Sequence, residues 1–65
     1  MTVGINIKNI RLKRKVTQKD LSLKTNINQS IISRYENGTI IPPIPKLEII
    51  AKALGVKTSD LLDTA

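Results

Sequence analysis

The chain has 65 residues, so we expect one small domain over residues 1–65. It contains neither Cys nor His, which excludes disulfides and a His/Cys zinc site, and we expect no metal and no cofactor. Eleven Lys and Arg against five Asp and Glu give a net charge of +6. Residues 1–34 alone carry eight basic side chains and one acid, a net of +7, which is typical of a protein that binds a polyanion. The alternative is a basic face that serves only solubility.

The sequence predicts five short helices and no strands. Its 11 Ile fall at helical spacing and nowhere alternate over the length of a strand. The first helix is predicted from about Gly4 to Arg14, with Ile7 and Ile10 facing inward and Arg11 as a third inward candidate.

The second helix is predicted to begin after Thr17. The sequence "TQKD" is a variant of the capping box, in which Thr17 and Asp20 each accept a hydrogen bond from the other's backbone N–H. Because Asp is shorter than the usual Glu, the bond to Asp20 is the less certain half. The helix is predicted to end near Lys24 or Thr25.

A sharp turn is predicted between the second and third helices. Asn26 tolerates the left-handed conformation that such a turn requires. Asn28 is a good N-cap for a third helix that runs to about Glu36, where Gly38 suits a left-handed C-cap.

The segment "TIIPPIP" is predicted to be a rigid connector, because a residue before proline is kept out of the helical region. Pro45 fits the first turn of a fourth helix, and Gly55 fits its C-cap. A last helix starting near Thr58 or Ser59 is predicted to bury Leu61, with Leu62 as a second candidate. The predicted inward face of the fourth helix comprises Ile44, Leu47, Ile50, Ala51 and Leu54.

The second and third helices together have the pattern of a helix-turn-helix. Such a unit needs a small residue where its helices cross, here Ser22, and apolar residues that fix the second helix against the first, such as Ile32 and Tyr35. The opposite face of the third helix then carries Gln29, Ser30, Ser33 and Arg34. Gln forms hydrogen bonds with adenine, Arg forms them with guanine, and Ser can form them with several different bases. These four residues are therefore the predicted base contacts.

The segment "TQKDLSLKTNINQSIISRYENG", with "ALGV" at 53–56, resembles the helix-turn-helix of the Cro and phage-repressor family, also called the xenobiotic-response-element family. The resemblance covers about residues 7–62, with the helix-turn-helix at 18–37. It implies an all-α, compact five-helix, lambda-repressor-like domain that binds double-stranded operator DNA. Relatives usually bind as homodimers on near-palindromic sites.

The resemblance also assigns roles to individual residues. Gln29, Ser30 and Arg34 match its base-contacting positions. Arg11 and Glu36 match a pair that forms a salt bridge beside the DNA backbone in several relatives. The predicted phosphate contacts are Arg11, Thr17, Gln18, Asn28 and Asn37.

Several residues depart from the family pattern. Asn26 and Ser22 replace the common Gly and Ala, and both are physically tolerable. Lys15 stands where Gly is frequent, so it must take an unfavourable backbone angle or extend the turn. Ile31 can meet a thymine methyl or pack against the core, and the sequence leaves these alternatives open. The loop "TIIPP" lacks the usual Lys or Arg, which argues against phosphate contacts from it.

Adjacent Ile40 and Ile41 cannot easily both be buried in so small a domain. An exposed remainder, with Leu61 or Leu62, is the predicted dimer contact. No apolar run approaches the roughly 20 residues of a membrane span, and no signal-peptide pattern is present, so we expect a cytoplasmic, nucleoid-associated protein.

The sequence predicts a DNA-binding transcriptional regulator, most readily a repressor. It shows no catalytic constellation and no small-molecule pocket, so we expect no enzyme and no small-molecule ligand. The alternative is a protein-interaction module on the same fold, such as an antitoxin or adaptor. The operator sequence, the regulated genes and the sign of regulation do not follow from the sequence.

Overall fold

The computed structural model describes residues 3–62, and it consists of helices without strands in that range. The predicted all-α fold of five helices is thereby confirmed, whereas residues 1–2 and 63–65 of the predicted domain lie outside the described residues. The helices are α1 (Val3–Lys13), α2 (Gln18–Thr25), α3 (Gln29–Glu36), α4 (Ile44–Leu54) and α5 (Thr58–Leu62).

Each of the five helices contributes to one apolar core. Full burial of a Leu or Ile side chain contributes about 1.5–3 kcal/mol to stability. The six largest side chains that are fully buried are Ile7, Leu21, Ile32, Leu47, Ile50 and Leu61.

The N-terminus of α2 has the complete capping box. The Thr17 hydroxyl accepts from the backbone N–H of Asp20 at 3.0 Å, and the Asp20 carboxylate accepts from the backbone N–H of Thr17 at 3.1 Å. Asp is therefore long enough for the reciprocal bond. Gly55 is the left-handed C-cap of α4, with φ 74°. The C-cap of α3 is instead Asn37, with φ −91°, and Gly38 takes its left-handed conformation, φ 81°, one residue later.

The start of α1 lies unusually close to the end of α3. A Cβ atom placed on Gly4 would collide with the carbonyl oxygen of Tyr35 and lie 2.9 Å from that of Glu36. Only glycine permits this approach, and Val3 beside it is buried in the core. The packed region therefore begins at Val3, earlier than the predicted core boundary at residue 7.

The predicted inward face of α4 is wrong at Ile44, whose side chain is 53% exposed. At 100° per residue, Ile44 lies roughly 70° from the centre of the buried stripe, and it occupies the first position of the helix, where no preceding turn covers it. Lys15 takes the unfavourable backbone angle instead of extending the turn, with φ 57°.

Candidate nucleic-acid interface

The turn between α2 and α3 is held by side-chain hydrogen bonds as well as by backbone geometry. Asn26 is left-handed with φ 59°, and its N–H donates to the carbonyl of Ser22 at 2.8 Å. The Ser22 hydroxyl then donates to the carbonyl of Ile27 at 2.6 Å, across the turn. Thr25 is buried, and its hydroxyl both donates to the Leu21 carbonyl and accepts from the Ile27 N–H. The angle between the two helices is consequently fixed.

The inner face of α3 is fixed in the core. Ile32 is completely buried, Tyr35 is 5% exposed, and Ile27 just before the helix is 6% exposed. Ile31 is half-buried and packs against the same cluster. Of the two alternatives for Ile31, packing against the core accounts for the buried part of its side chain.

The outer face of α3 carries polar side chains that the protein itself leaves available. Gln29, Ser30 and Arg34 are exposed. Within residues 3–62, the side chains of Gln29 and Arg34 form no hydrogen bond or ion pair. A structural role inside the domain therefore does not account for these two side chains.

The N-cap Asn28 and the nearby Ser30, at the start of α3, are joined by hydrogen bonds that orient both side chains. Asn28 caps the helix by accepting from the backbone N–H of Ser30 at 2.9 Å, and it also accepts from the Ser30 hydroxyl at 2.9 Å. Because the Ser30 hydroxyl donates its hydrogen bond to the Asn28 side-chain oxygen, its lone pairs remain available on the outside. It is set to accept from a base amino group rather than to donate.

A buried ion pair joins α1 to the end of α3. The Arg11 guanidinium donates to Glu36 twice, from Nε at 2.7 Å and from a terminal nitrogen at 3.0 Å, and both residues are 7% exposed. Its other terminal nitrogen donates to the Val16 carbonyl at 2.9 Å. This two-point geometry is that of a strong charge-assisted pair. Burial leaves little of the guanidinium for a phosphate, so direct phosphate contact by Arg11 is not favoured by the structure.

Gln18 is the third member of this network. Its side-chain amide nitrogen donates to the Glu36 carboxylate at 3.1 Å, which ties the first residue of α2 to the last residue of α3. Glu36 thus holds Gln18 and Arg11 together, and three helices meet at one carboxylate. The sequence resemblance suggested the pair with Arg11, but it did not indicate the bond to Gln18.

A polar notch of about 180 Å³ opens beside this network. Of the predicted base contacts, Ser33 differs from the other three, because it is half-buried and faces this notch rather than standing free on the outer face. Lys8 also lines the notch, although no specific role was predicted for it. The lining residues are Lys8, Gln18, Ser33, Glu36 and Asn37.

The remaining predicted phosphate contacts lie at helix ends. Thr17 is exposed, and its hydroxyl is engaged in the capping box. The Asn37 side-chain oxygen accepts from the backbone N–H of Thr39 at 2.9 Å and from the Thr39 hydroxyl. The amide nitrogen of Asn37 is therefore the group that can donate to an anion.

The predicted dimer contact needs one correction. Leu61 is completely buried in the core, so it cannot meet a second copy. Ile41 is 67% exposed, Leu62 is 42% exposed and Ile40 is 37% exposed. The reason is that the short α5 has only one face against the core, and consecutive helical residues point about 100° apart, so that Leu61 lies on that face while Leu62 is turned partly to solvent.

Residues 3–62 contain no cluster of three or more His, Cys, Asp or Glu side chains with the arrangement of a metal site. In the same range, no helix is long and apolar enough to span a membrane.

Comparison with known proteins gives a consistent result. A helix-turn-helix family model matches residues 7–61. The immunity repressor protein of Bacillus phage phi105 is 40% identical over 62 residues, which are 95% of the chain and 43% of that protein. Multiprotein-bridging factor 1 of Debaryomyces hansenii is 42% identical over 57 residues, 88% of the chain and 38% of that protein.

Control protein C.BamHI of Bacillus amyloliquefaciens is 38% identical over 61 residues, 92% of the chain and 75% of that protein. The chain spans less than half the length of the phage repressor and of the bridging factor. No significant match is found among solved structures.

Proposed function

Because the chain belongs to the helix-turn-helix family of the Cro and phage-repressor type, we propose that it is a transcriptional repressor that binds double-stranded DNA sequence-specifically. The observation that carries the proposal is the outer face of α3, where Gln29 and Arg34 project without a partner within residues 3–62. A solvated helix face more often carries Glu and Lys pairs four residues apart, and α3 has none.

In this proposal α3 lies in the major groove. Gln29 can hydrogen-bond adenine at two points and Arg34 guanine at two points, each contributing about 1–3 kcal/mol of discrimination. Ser30 accepts from the amino group of adenine or cytosine, since its proton is directed to Asn28. Ser33 contacts bases only at the edge of the groove, because it is half-buried at the notch.

The N-terminus of α2 supplies the proposed phosphate contacts. The capping box uses the N–H groups of Thr17 and Asp20, but no acceptor within residues 3–62 is found for those of Gln18 and Lys19. Free N–H groups at a helix N-terminus favour a phosphate. Thr17 caps this helix end and Asn37 lines the same notch as Gln18, whereas Asn28 is a separate proposed phosphate contact at the start of α3. Buried Arg11 positions Gln18 through Glu36 rather than contacting DNA itself.

Long-range attraction adds to these contacts. The net charge of +7 over residues 1–34 lies in the half of the chain that contains α1, α2 and most of α3. Each phosphate that the protein neutralises increases the salt dependence of the binding constant. The slope of its logarithm against the logarithm of the salt concentration changes by about −0.9 per phosphate. We therefore propose strong salt dependence of affinity for every duplex, specific or not.

We further propose a homodimer on a near-palindromic operator in the cytoplasm, with half-sites about 10 base pairs apart. Support comes from the exposed apolar side chains of Ile40, Ile41 and Leu62. Sedimentation of the wild type and of Ile41→Asp tests this. If the wild-type protein sediments as a monomer at all concentrations, the proposed homodimer is contradicted.

Selection from a pool of random duplexes at moderate salt tests the proposed function. The expected result is an enriched motif with two symmetry-related halves. Absence of any enriched motif, with binding that is equal for all sequences, overturns sequence-specific recognition.

A protein-interaction module is the second candidate function. The similarity to a multiprotein-bridging factor and the 75% exposed Leu23 on α2 favour it. A pull-down from nuclease-treated lysate distinguishes the two. A stoichiometric protein partner together with no affinity for any duplex favours the second candidate.

A further inference from the structure

Lys8 is the cation of the notch that α1, α2 and α3 form together. It is exposed and lines the notch with Gln18 and Asn37, to both of which the family resemblance assigned phosphate contacts. Nothing in the sequence pattern distinguished Lys8 from the other lysines of the basic half. Its place in the fold does.

The charges of the notch leave a net of +1. Glu36 is its only carboxylate, and the buried Arg11 neutralises it at 2.7 Å. The remaining acceptor capacity of Glu36 is further used by Gln18. Lys8 is therefore the one charge lining the notch that a buried partner does not cancel.

Lys8 also lacks an acidic neighbour on its own helix. α1 contains no Asp or Glu, so no pair three or four residues away can hold the ammonium group. The Arg11–Glu36 pair is the one ion pair found within residues 3–62. The side chain is consequently available to an external anion.

We propose that Lys8 binds a backbone phosphate of the DNA, seated at the notch between Gln18 and Asn37. This inference rests on the proposed function. It adds a contact from the middle of α1 to those from the start of α2 and the end of α3, so that one phosphate is held from three helices and fixes the depth of α3 in the groove. Phosphate contacts of this kind set register and orientation rather than sequence preference.

The neutralisation of Glu36 is a condition for this site. An unpaired carboxylate at the floor of the notch would repel the phosphate, and Arg11 removes that repulsion from inside the protein. The buried pair thus acts on DNA binding through the charge of the notch.

The test uses the selected duplex and a matched pair of variants. Lys8→Gln removes the notch cation, and Lys13→Gln removes one charge from the same helix outside the notch. Raising the salt from 50 to 200 mM weakens binding by both proteins, but the fold loss for Lys8→Gln is expected to be about three- to fourfold smaller than for the wild type. This difference corresponds to the release of counterions from one phosphate fewer. Sequence preference is expected to stay unchanged, and Lys8→Arg to behave as the wild type does.

Neutral methylphosphonate substitutions, placed one at a time along the duplex, locate the contact. At one phosphate per half-site, the wild type and Lys13→Gln are expected to lose more affinity than Lys8→Gln, because only they retain the cation that contacts that phosphate. The same profile for Lys8→Gln and wild type on a duplex that both bind overturns the Lys8 proposal and leaves the proposed function standing. Failure of the wild type to enrich any duplex overturns both.

Discussion

Replacing Glu36 by alanine removes the acceptor that Arg11 and Gln18 share. Two donor groups of Arg11 and the amide of Gln18 then lose their partner, and a guanidinium in a residue only 7% exposed is left without its counter-charge. Breaking a buried ion pair in this way destabilises a protein by about 3–5 kcal/mol. A 65-residue domain has a total stability of about 3–10 kcal/mol, so this loss is a large fraction of it.

Thermal unfolding followed by circular dichroism measures the effect. At the lower limit of about 3 kcal/mol, the melting temperature of a domain this size is expected to fall by about 12–24 °C. Glu48→Ala is the control, because it removes the same charge from an exposed position on α4, and a much smaller change is expected. Equal stabilities of the two variants would refute the assigned role of Glu36.

A double variant separates loss of the pair from loss of packing. Arg11→Met with Glu36→Leu replaces the pair by apolar side chains of similar volume. Such replacements are often neutral or stabilising, so much of the stability lost in Glu36→Ala is expected to return. DNA binding is not expected to return with it, because Gln18 then has no carboxylate to hold it.

Three further substitutions test the fold. Gly4→Ala is expected to destabilise the domain by more than 1 kcal/mol, because its methyl group meets the Tyr35 carbonyl, and thermal unfolding measures this. Lys15→Gly is expected to stabilise it by up to about 1 kcal/mol by relieving the positive φ, and an unchanged or lower urea midpoint contradicts this. The backbone N–H of Thr17 holds the pKa of the Asp20 carboxyl below its ordinary value, so this contribution is present above about pH 4 and is lost as the pH falls through the folded pKa. Asp20→Asn is accordingly expected to weaken the acid dependence of the urea midpoint, and an unchanged acid dependence refutes that.

Features that depend on a few neighbouring residues could be predicted from the sequence. The capping box at Thr17, the left-handed Asn26 and the C-cap at Gly55 follow from local rules about side-chain acceptors and backbone sterics. The outward face of α3 followed from its helical period once Ile32 and Tyr35 were assigned inward.

Features that depend on how the helices meet could not be predicted. The need for glycine at position 4 arises only from the close approach of α3 to α1. The hydrogen bond from Gln18 to Glu36 likewise depends on how the start of α2 and the end of α3 are placed in the fold. The helical period gave Ile44 an inward place, but the helix end exposed it. Lys8 became distinct only through the notch it lines.

The most direct test of the proposed mechanism is to repeat the duplex selection with variants of the outer face of α3. Gln29→Ala and Arg34→Ala are each expected to change the enriched base at one position per half-site, because each removes one specific base contact. Gln18→Ala, the matched phosphate-side variant, is expected to keep the wild-type motif with weaker binding throughout. An unchanged motif for both Gln29→Ala and Arg34→Ala would contradict base recognition by α3.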